Sequence, residues 1–309
     1  MKWFSLDSSS FHIINSDYEL GIIKRYSYLV FNLINNFFQS RSTNSYKIFQ
    51  LYNYNYSEIS QSIELSGTIS PSRFLCNKFW DDLNITAIKE LLGREINAIE
   101  IGCGSGIYGQ KLIQKDKSVK YLGVDIAIPE VWPQIGNATF IQASYDDVDK
   151  LLENSNFLFT QSALEHFEKD LSFFRKIGIA AKKTGTPLLQ VHLFPSSNCL
   201  KLYLWHGIRQ YNSRTIKRLI NAAKPDMQPI LICLGGKNSN KLHFRSITIP
   251  NILRKFISSY PKNLVTPLAL ASSIKLDSDT KNHKFASFYV LIFQHNLSKE
   301  INLNELLYN

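Results

Sequence analysis

The sequence predicts an α/β protein built on a mostly parallel sheet with both faces covered by helices. Three observations predict it. From about residue 95 short apolar runs alternate with helical stretches. The first of these runs ends in a glycine-rich turn, and the turn leads directly into a helix. Strands separated by helices need crossover connections, which put neighbouring strands parallel and bury both sheet faces.

Taken in order, Ile96 to Ile101 reads as a buried strand, followed by the turn and a helix from Ile107. Tyr121 to Val124, Thr139 to Gln142 and Phe157 to Thr160 are the next three strands. Leu171 to Lys182 reads as a helix. Lys183-Thr184-Gly185-Thr186-Pro187 then turns into a fifth strand, Leu188 to Phe194. Ser213 to Ala223 has helical spacing, and Ile230 to Leu234 and Ala286 to Phe293 read as late strands.

Residues 1–90 read as a helical N-terminal extension. Tyr26, Leu29, Val30, Leu33, Ile34 and Phe37 recur at i, i+3, i+4, i+7, i+8 and i+11, one face of a helix. The period predicts that this face packs inward; a lid over an active site is the functional reading of the same pattern. Residues 91–300 form the main domain, with a basic stretch at about 200–285.

Length and composition bound the rest. A chain of 309 residues with 44% hydrophobic content supports one large α/β domain with appendages and argues against disorder. No N-terminal signal peptide is evident, and no apolar run approaches the length of a spanning helix. The four cysteines, Cys76, Cys103, Cys199 and Cys233, form no C-x-x-C pair. They point to a reducing, cytoplasmic setting. The histidines show no metal-ligand spacing, so no metal is expected.

The net charge of +10 is unevenly placed. From Lys201 to Lys262 twelve Lys or Arg stand against one acid, Asp226, a local net of +11. An anionic partner is the functional reading and a solvated basic face the plain one. Arg214, Lys217 and Arg218 would share one face of the helix from Ser213.

The turn itself is Glu100-Ile101-Gly102-Cys103-Gly104-Ser105-Gly106. Glycines there allow a tight turn and let a ligand reach bare backbone, and the helix beyond offers free N–H groups. Gly104, Gly106 and Gly109 also satisfy the dinucleotide pattern G-x-G-x-x-G. Asp125 closes the second strand, placed to accept hydrogen bonds from ribose hydroxyls. Ribose is common to nicotinamide dinucleotides and S-adenosylmethionine, so these residues alone leave both cofactors open.

The segment Glu100 to Gly106 resembles motif I of the class I, Rossmann-like S-adenosylmethionine-dependent methyltransferases. Three further segments resemble the same family, in order: Phe140-Ile141-Gln142-Ala143-Ser144-Tyr145-Asp146-Asp147, Gln161-Ser162-Ala163-Leu164-Glu165-His166-Phe167 and Lys183 to Leu189. The third is similar to the leucine-glutamate-histidine segment of small-molecule members. The resemblance implies a seven-stranded sheet with its last strand antiparallel. It implies that the Gly102 to Gly106 turn, with Cys103, faces the methionine part of the cofactor and that Glu100 helps to organise its ammonium. Asp125 would hold the ribose, Ser144 and Tyr145 would flank the adenine, and Gln161 would lie beside the methionine moiety or the substrate. Family members often carry an aspartate at the place of Ser144; here Asp146 or a backbone carbonyl would take the adenine amino group.

Methyl transfer to oxygen needs a general base. His166, after the fourth strand, and His206, after the fifth, are the catalytic candidates, whereas His192 falls inside a strand and reads as packed. The acceptor reads as a small molecule or glycan. The alternatives are an RNA methyltransferase, for which the basic segment speaks but no N/D-P-P-Y/F signature follows strand four, and a nicotinamide-dinucleotide-binding protein.

Overall fold

The computed structural model describes residues 22–37, 45–50, 69–127, 134, 136–202, 207–261, 264–280 and 283–307. Eight strands form one sheet: β1 (Lys47–Gln50), β2 (Asn97–Ile101), β3 (Lys120–Asp125), β4 (Ala138–Gln142), β5 (Phe157–Gln161), β6 (Leu188–Pro195), β7 (Ile230–Leu234) and β8 (Phe288–His295). Their order is β1-β7-β8-β6-β5-β2-β3-β4. Every pair is parallel except those of β8 with β6 and β7. Seven strands with the last antiparallel make the sheet expected from the resemblance. The eighth, β1, is an addition: Lys47 to Gln50 lie in the stretch read as helical, yet pair in register with Ile230 to Cys233.

The central strands are buried along their whole length, as two covered faces require. Alternation decides which face each residue serves. Phe157 and Phe159 point into one apolar cluster and Leu158 into the other; Val290 and Ile292 part from Leu291 in the same way. The first cluster is closed by α2 (Pro71–Asp82), α3 (Ile85–Leu92) and α4 (Ile107–Lys115), and the second by α5 (Val148–Leu151), α6 (Asp170–Thr184) and α7 (Ser213–Ala223). The caps are local. Ser70 accepts from the Arg73 N–H ahead of Pro71, Asn84 accepts from Ala87, and Asn212 with Thr215 closes a capping box on α7.

Helix α1 (Ile22–Phe37) forms as its period predicts but turns the other way. The expected inward face is outside: Val30, Leu33, Ile34 and Phe37 are exposed, Phe37 by 86%. Asn32 is buried instead. Its amide donates to the carbonyl of Ile208 (3.2 Å) and its oxygen accepts from the Gln210 N–H (3.1 Å), while Asn212 donates to the Asn35 carbonyl. The stretch 208–212 has no regular partner for these backbone groups, and an asparagine amide satisfies two of them at once.

The basic segment likewise divides. Arg209, half-buried, forms an ion pair with the buried Asp170 (2.5 Å) and donates to the Glu168 carbonyl. Arg218 lines a groove of about 570 Å³ between α6 and α7, together with Arg175, Lys182 and Lys224. Arg214, Lys217 and Arg218 stand at i, i+3 and i+4 of α7 and share one face of it, as expected, with Arg218 also reaching the groove.

A row of buried polar side chains crosses the sheet. Thr160 meets His192 Nδ1 (3.0 Å), His192 Nε2 meets the Gln190 oxygen (3.1 Å), and the Gln190 amide meets His295 Nε2 (2.7 Å). His192 is packed, as its place within a strand predicts. Burial pushes its pKa down to about 3, and those of His243 and His295 to about 4. Unfolded histidine ionises near 6.5, so the unfolded chain takes up protons before the folded one does. The stability these three contribute is complete above that value and is lost as pH falls toward 4. Urea midpoints measured from pH 7.5 to 4.5 should fall steadily below pH 6.5, and a flat profile would show that the three do not remain neutral in the fold.

Candidate functional site

The chain leaves β2 toward β3 and β4 on one side and returns through β5 and β6 on the other. The turn after β2 therefore lies at the point where strand order reverses, where open α/β sheets bind ligands at their carboxyl edge.

Three residues of that turn, Gly102, Gly104 and Gly106, have φ of 77°, 51° and 73°. L-residues with side chains are strained there. Below the turn there is no room. A Cβ on Gly102 would lie 2.5 Å from the Ala163 Cβ, and one on Gly106 would lie 2.5 Å from the Phe140 ring. Above it there is space, for a Cβ on Gly104 meets nothing within 4 Å. The Gly104 N–H donates to Asp125 Oδ2 (2.7 Å), and Asp125 Oδ1 accepts from the Ala127 N–H (3.1 Å). Asp125, half-buried at the end of β3, is thus held at the rim of the turn. A carboxylate has about four lone-pair sites, so two backbone donors leave capacity for a ligand.

Glu100 lies under the turn, 1% exposed. Its Oε2 accepts from the Tyr121 hydroxyl (2.6 Å), and it takes the backbone N–H of Gly109. Burial raises its carboxyl to about pKa 8, against the lowering effect of those two hydrogen bonds. Gly109 is also the point where α4 packs flat on Tyr121: a Cβ there would sit 2.2 Å from the ring. The third glycine of G-x-G-x-x-G is therefore a helix-on-strand contact. The Cys103 thiol is buried, and burial pushes its pKa up, so it stays protonated and only its backbone borders the turn.

The other site residues fall along the same edge. Ser144 caps the turn after β4, its hydroxyl accepting from the Asp146 N–H (3.1 Å). Tyr145 turns inward: its ring stacks on Phe167 at 4.3 Å and its hydroxyl accepts from the Lys169 N–H. The ring is core, so it is the backbone of 143–145 that faces the edge. Gln161 ends β5 and is nearly buried. Its oxygen accepts from the Trp80 indole N–H (2.9 Å) and its amide donates to Ser162 Oγ (2.9 Å). His166 follows in the turn Leu164–His166 and is partly exposed. His206 lies outside the described residues. Among the described residues no cluster of His, Cys, Asp and Glu has the arrangement of a metal site.

Two side chains at this edge carry no sequence motif. Trp80 of α2 holds Gln161 and packs on Phe159 at 4.8 Å. Arg73, in the first turn of the same helix, donates to the Tyr108 hydroxyl (2.8 Å), which in turn donates to Asn77 (3.1 Å). Tyr108 belongs to the first turn of α4, so Arg73 stands next to the helix that the glycine turn opens. The one available signal was the helix start Ser70-Pro71, which places an arginine in the first turn.

No protein-family model matches the chain, and no curated protein sequence matches it. Solved structures do superpose on it. One is the plantazolicin methyltransferase BpumL in complex with a triazolic desmethylPZN analog and SAH, at 12% identity and TM-score 0.45, covering 89% of this chain and 99% of the other. Another is the plantazolicin methyltransferase BamL in complex with the same type of analog and SAH, at 14% identity and TM-score 0.41, covering 89% and 98%. A SAM-dependent methyltransferase from Archaeoglobus fulgidus matches at 12% identity and TM-score 0.43, covering 68% and 90%. The strand order and the antiparallel last strand of this chain give it a doubly wound, Rossmann-like architecture.

Trp80→Phe would leave the Gln161 oxygen buried without its donor, at a cost of about 1–3 kcal/mol besides the lost ring volume. Urea denaturation of Trp80→Phe, Gln161→Leu and the double variant should show the double variant less destabilised than the sum of the singles. Strict additivity would mean that the indole does not hold Gln161.

Proposed function

We propose that this chain is an S-adenosylmethionine-dependent methyltransferase acting on a small-molecule or saccharide acceptor. The observation that carries the reading is the glycine turn at the strand-order reversal, with Asp125 fixed on the Gly104 N–H and free space directly above. A Cβ on Gly104 would enter that space, as a cradle for a ligand requires. The cofactor, when bound, supplies a methyl group activated by a sulfonium.

The residues divide the work of holding it. Gly102 to Gly106, including Cys103, would present backbone to the methionine part, and the Arg73 guanidinium beside Tyr108 would receive its carboxylate by a charge-assisted hydrogen bond. Asp125 would accept from the ribose hydroxyls. Ser144 and the Tyr145 backbone would border the adenine. Gln161, fixed by Trp80, would orient the methionine moiety or the acceptor. Glu100 would act from beneath, ordering the underside of the turn on which the ammonium is organised.

For an oxygen acceptor, His166 is the proposed general base, at the carboxyl edge and open to solvent. His206 shares the proposal on sequence grounds. The acceptor need not be anionic, because Arg209 is already paired and Arg218 lies in a groove between two helices. Four free, buried thiols suit a cytoplasmic setting.

Calorimetry with S-adenosylhomocysteine and NAD side by side tests the reading. Asp125→Ala should weaken S-adenosylhomocysteine binding by about 1.5–3 kcal/mol, and Arg73→Ala by a similar amount, the range for hydrogen bonds to charged groups. Gly104→Val should abolish it, since valine at positive φ is strained and its side chain would fill the cradle. Tight NAD binding without S-adenosylhomocysteine binding would overturn the assignment.

A further inference from the structure

Three long stretches of this chain contain no acid, 20–57, 171–225 and 227–276. The first and last, bounded by Glu19 and Glu58 and by Asp226 and Asp277, differ from the second in what they expose. Together they hold eleven Lys or Arg, against a net charge of +10 for the whole chain. The same stretches hold every exposed large hydrophobic side chain among the described residues except Ile107 and Ile179. Cations, no acids and outward apolar groups therefore coincide.

Both stretches touch one short segment, 197–202. Helix α1 packs against the short turn Ser197–Lys201 that follows β6. From the last stretch, the Thr248 hydroxyl donates to the carbonyl of Leu202, the next residue of that turn (2.9 Å). Both flank the carboxyl end of β6. The orientation of α1 is built, since Asn32 and Asn35 bind the 208–212 stretch and thereby hold Val30, Ile34 and Phe37 outward. Beyond Thr248, Phe256 is 83% exposed and Ile257 half exposed, immediately after Arg254 and Lys255. Among the described residues no helix is long and apolar enough to cross a membrane.

We propose that this face docks on an anionic lipid surface. α1 lies flat, with Val30, Ile34 and Phe37 at the acyl boundary, and Phe256 and Ile257 form a second point of insertion. Arg254 and Lys255 stand at the lipid phosphates. Apolar faces of this kind bind through buried area, and neighbouring cations add attraction to an anionic leaflet. Charge selects this occupant over a second copy of the chain, because a symmetric contact through Arg254 and Lys255 would bring like charges together with no acid of the same stretch to offset them. The consequence for the site is positional: the carboxyl edge of the sheet would work close to the bilayer, within reach of an amphipathic acceptor.

The test is flotation of the full-length protein with vesicles of phosphatidylcholine alone or mixed with phosphatidylglycerol. Binding is expected on the mixed vesicles, weak on phosphatidylcholine, and reduced by added salt. Val30→Glu/Ile34→Glu and, separately, Arg254→Glu/Lys255→Glu should each lower vesicle affinity by about tenfold or more. Circular dichroism and S-adenosylhomocysteine affinity should stay unchanged. Should the α1 double variant misfold, Phe37→Glu at the helix end serves in its place. No binding to mixed vesicles, equal binding to both lipids, or unaltered binding of the variants would each overturn the proposal. So would a dimer in solution that the α1 variant dissolves while the parent ignores vesicles. Loss of S-adenosylhomocysteine binding with vesicle binding retained would refute the methyltransferase reading and leave this one standing.

Discussion

Crowding beneath the turn after β2 is the constraint on which the rest of the site depends. Ala163, Phe140 and Tyr121 approach its underside so closely that a methyl group on Gly102, Gly106 or Gly109 would have to displace them. The turn is pressed upward from the segment that follows β5 and from β4 and β3. The N–H groups of Gly102, Cys103, Gly104 and Gly106 are spent inside the protein, so what the turn holds at a fixed height above the sheet edge is its bare Cα surface and the Asp125 carboxylate. The Gly104–Asp125 hydrogen bond then ties the turn to the end of β3. Rigid placement of this kind is what a small polar ligand needs, because each hydrogen bond it makes is then gained without ordering the protein.

Much of this was legible in the sequence. The strand positions followed from apolar run length, since strands buried on both faces leave little ambiguity when glycine turns bound them. Asp125 was legible because its distance from the glycines is set by one helix and one strand. What was not legible had a common cause: side-chain direction decided by partners remote in the chain. Tyr145 looked like a surface aromatic beside a ligand, but Phe167 and the Lys169 N–H draw it inward. Arg209 looked like part of a basic face, but Asp170 of α6 claims it. Periodicity located α1 and misjudged its rotation, because two unpaired backbone groups at 208–210 outweighed the apolar stripe. The strand β1 is four residues long and carries no alternation strong enough to distinguish it from a loop.

The sheet also carries a polar row through its interior. Thr160, His192, Gln190 and His295 pair in sequence, and the row ends on His295 Nδ1, which has no partner among the described residues. The hydrogen bonds are consistent with one tautomer chain, in which His192 Nε2–H donates to Gln190 and the Gln190 amide donates to His295. A neutral row costs far less to bury than a charged one. It also fixes β6 against β8 at the place where the sheet changes from parallel to antiparallel, through side chains that an apolar core would leave free to shift by one register.

The basic segment shows why local net charge is a poor guide to function in a folded chain. Its cations serve distinct ends. Arg209, with Asp170 and the Tyr211 hydroxyl, joins the stretch after β6 to the start of α6; removing Arg209 would leave Asp170 buried without its ion pair. Arg218 and Lys224 sit with Arg175 and Lys182 along the α6–α7 groove, where the close approach of Gly178 to the Ala223 carbonyl brings the two helices together. Arg254 and Lys255 stand at the outer surface beside Phe256. The first group is structural by its ion pair, the second is a like-charge cluster on the outer helical layer around the single exposed Ile179, and the third stands beside two consecutive exposed apolar side chains, Phe256 and Ile257. Sorting cations by what surrounds them, rather than by their spacing in sequence, is therefore what separates a solvated face from a binding one.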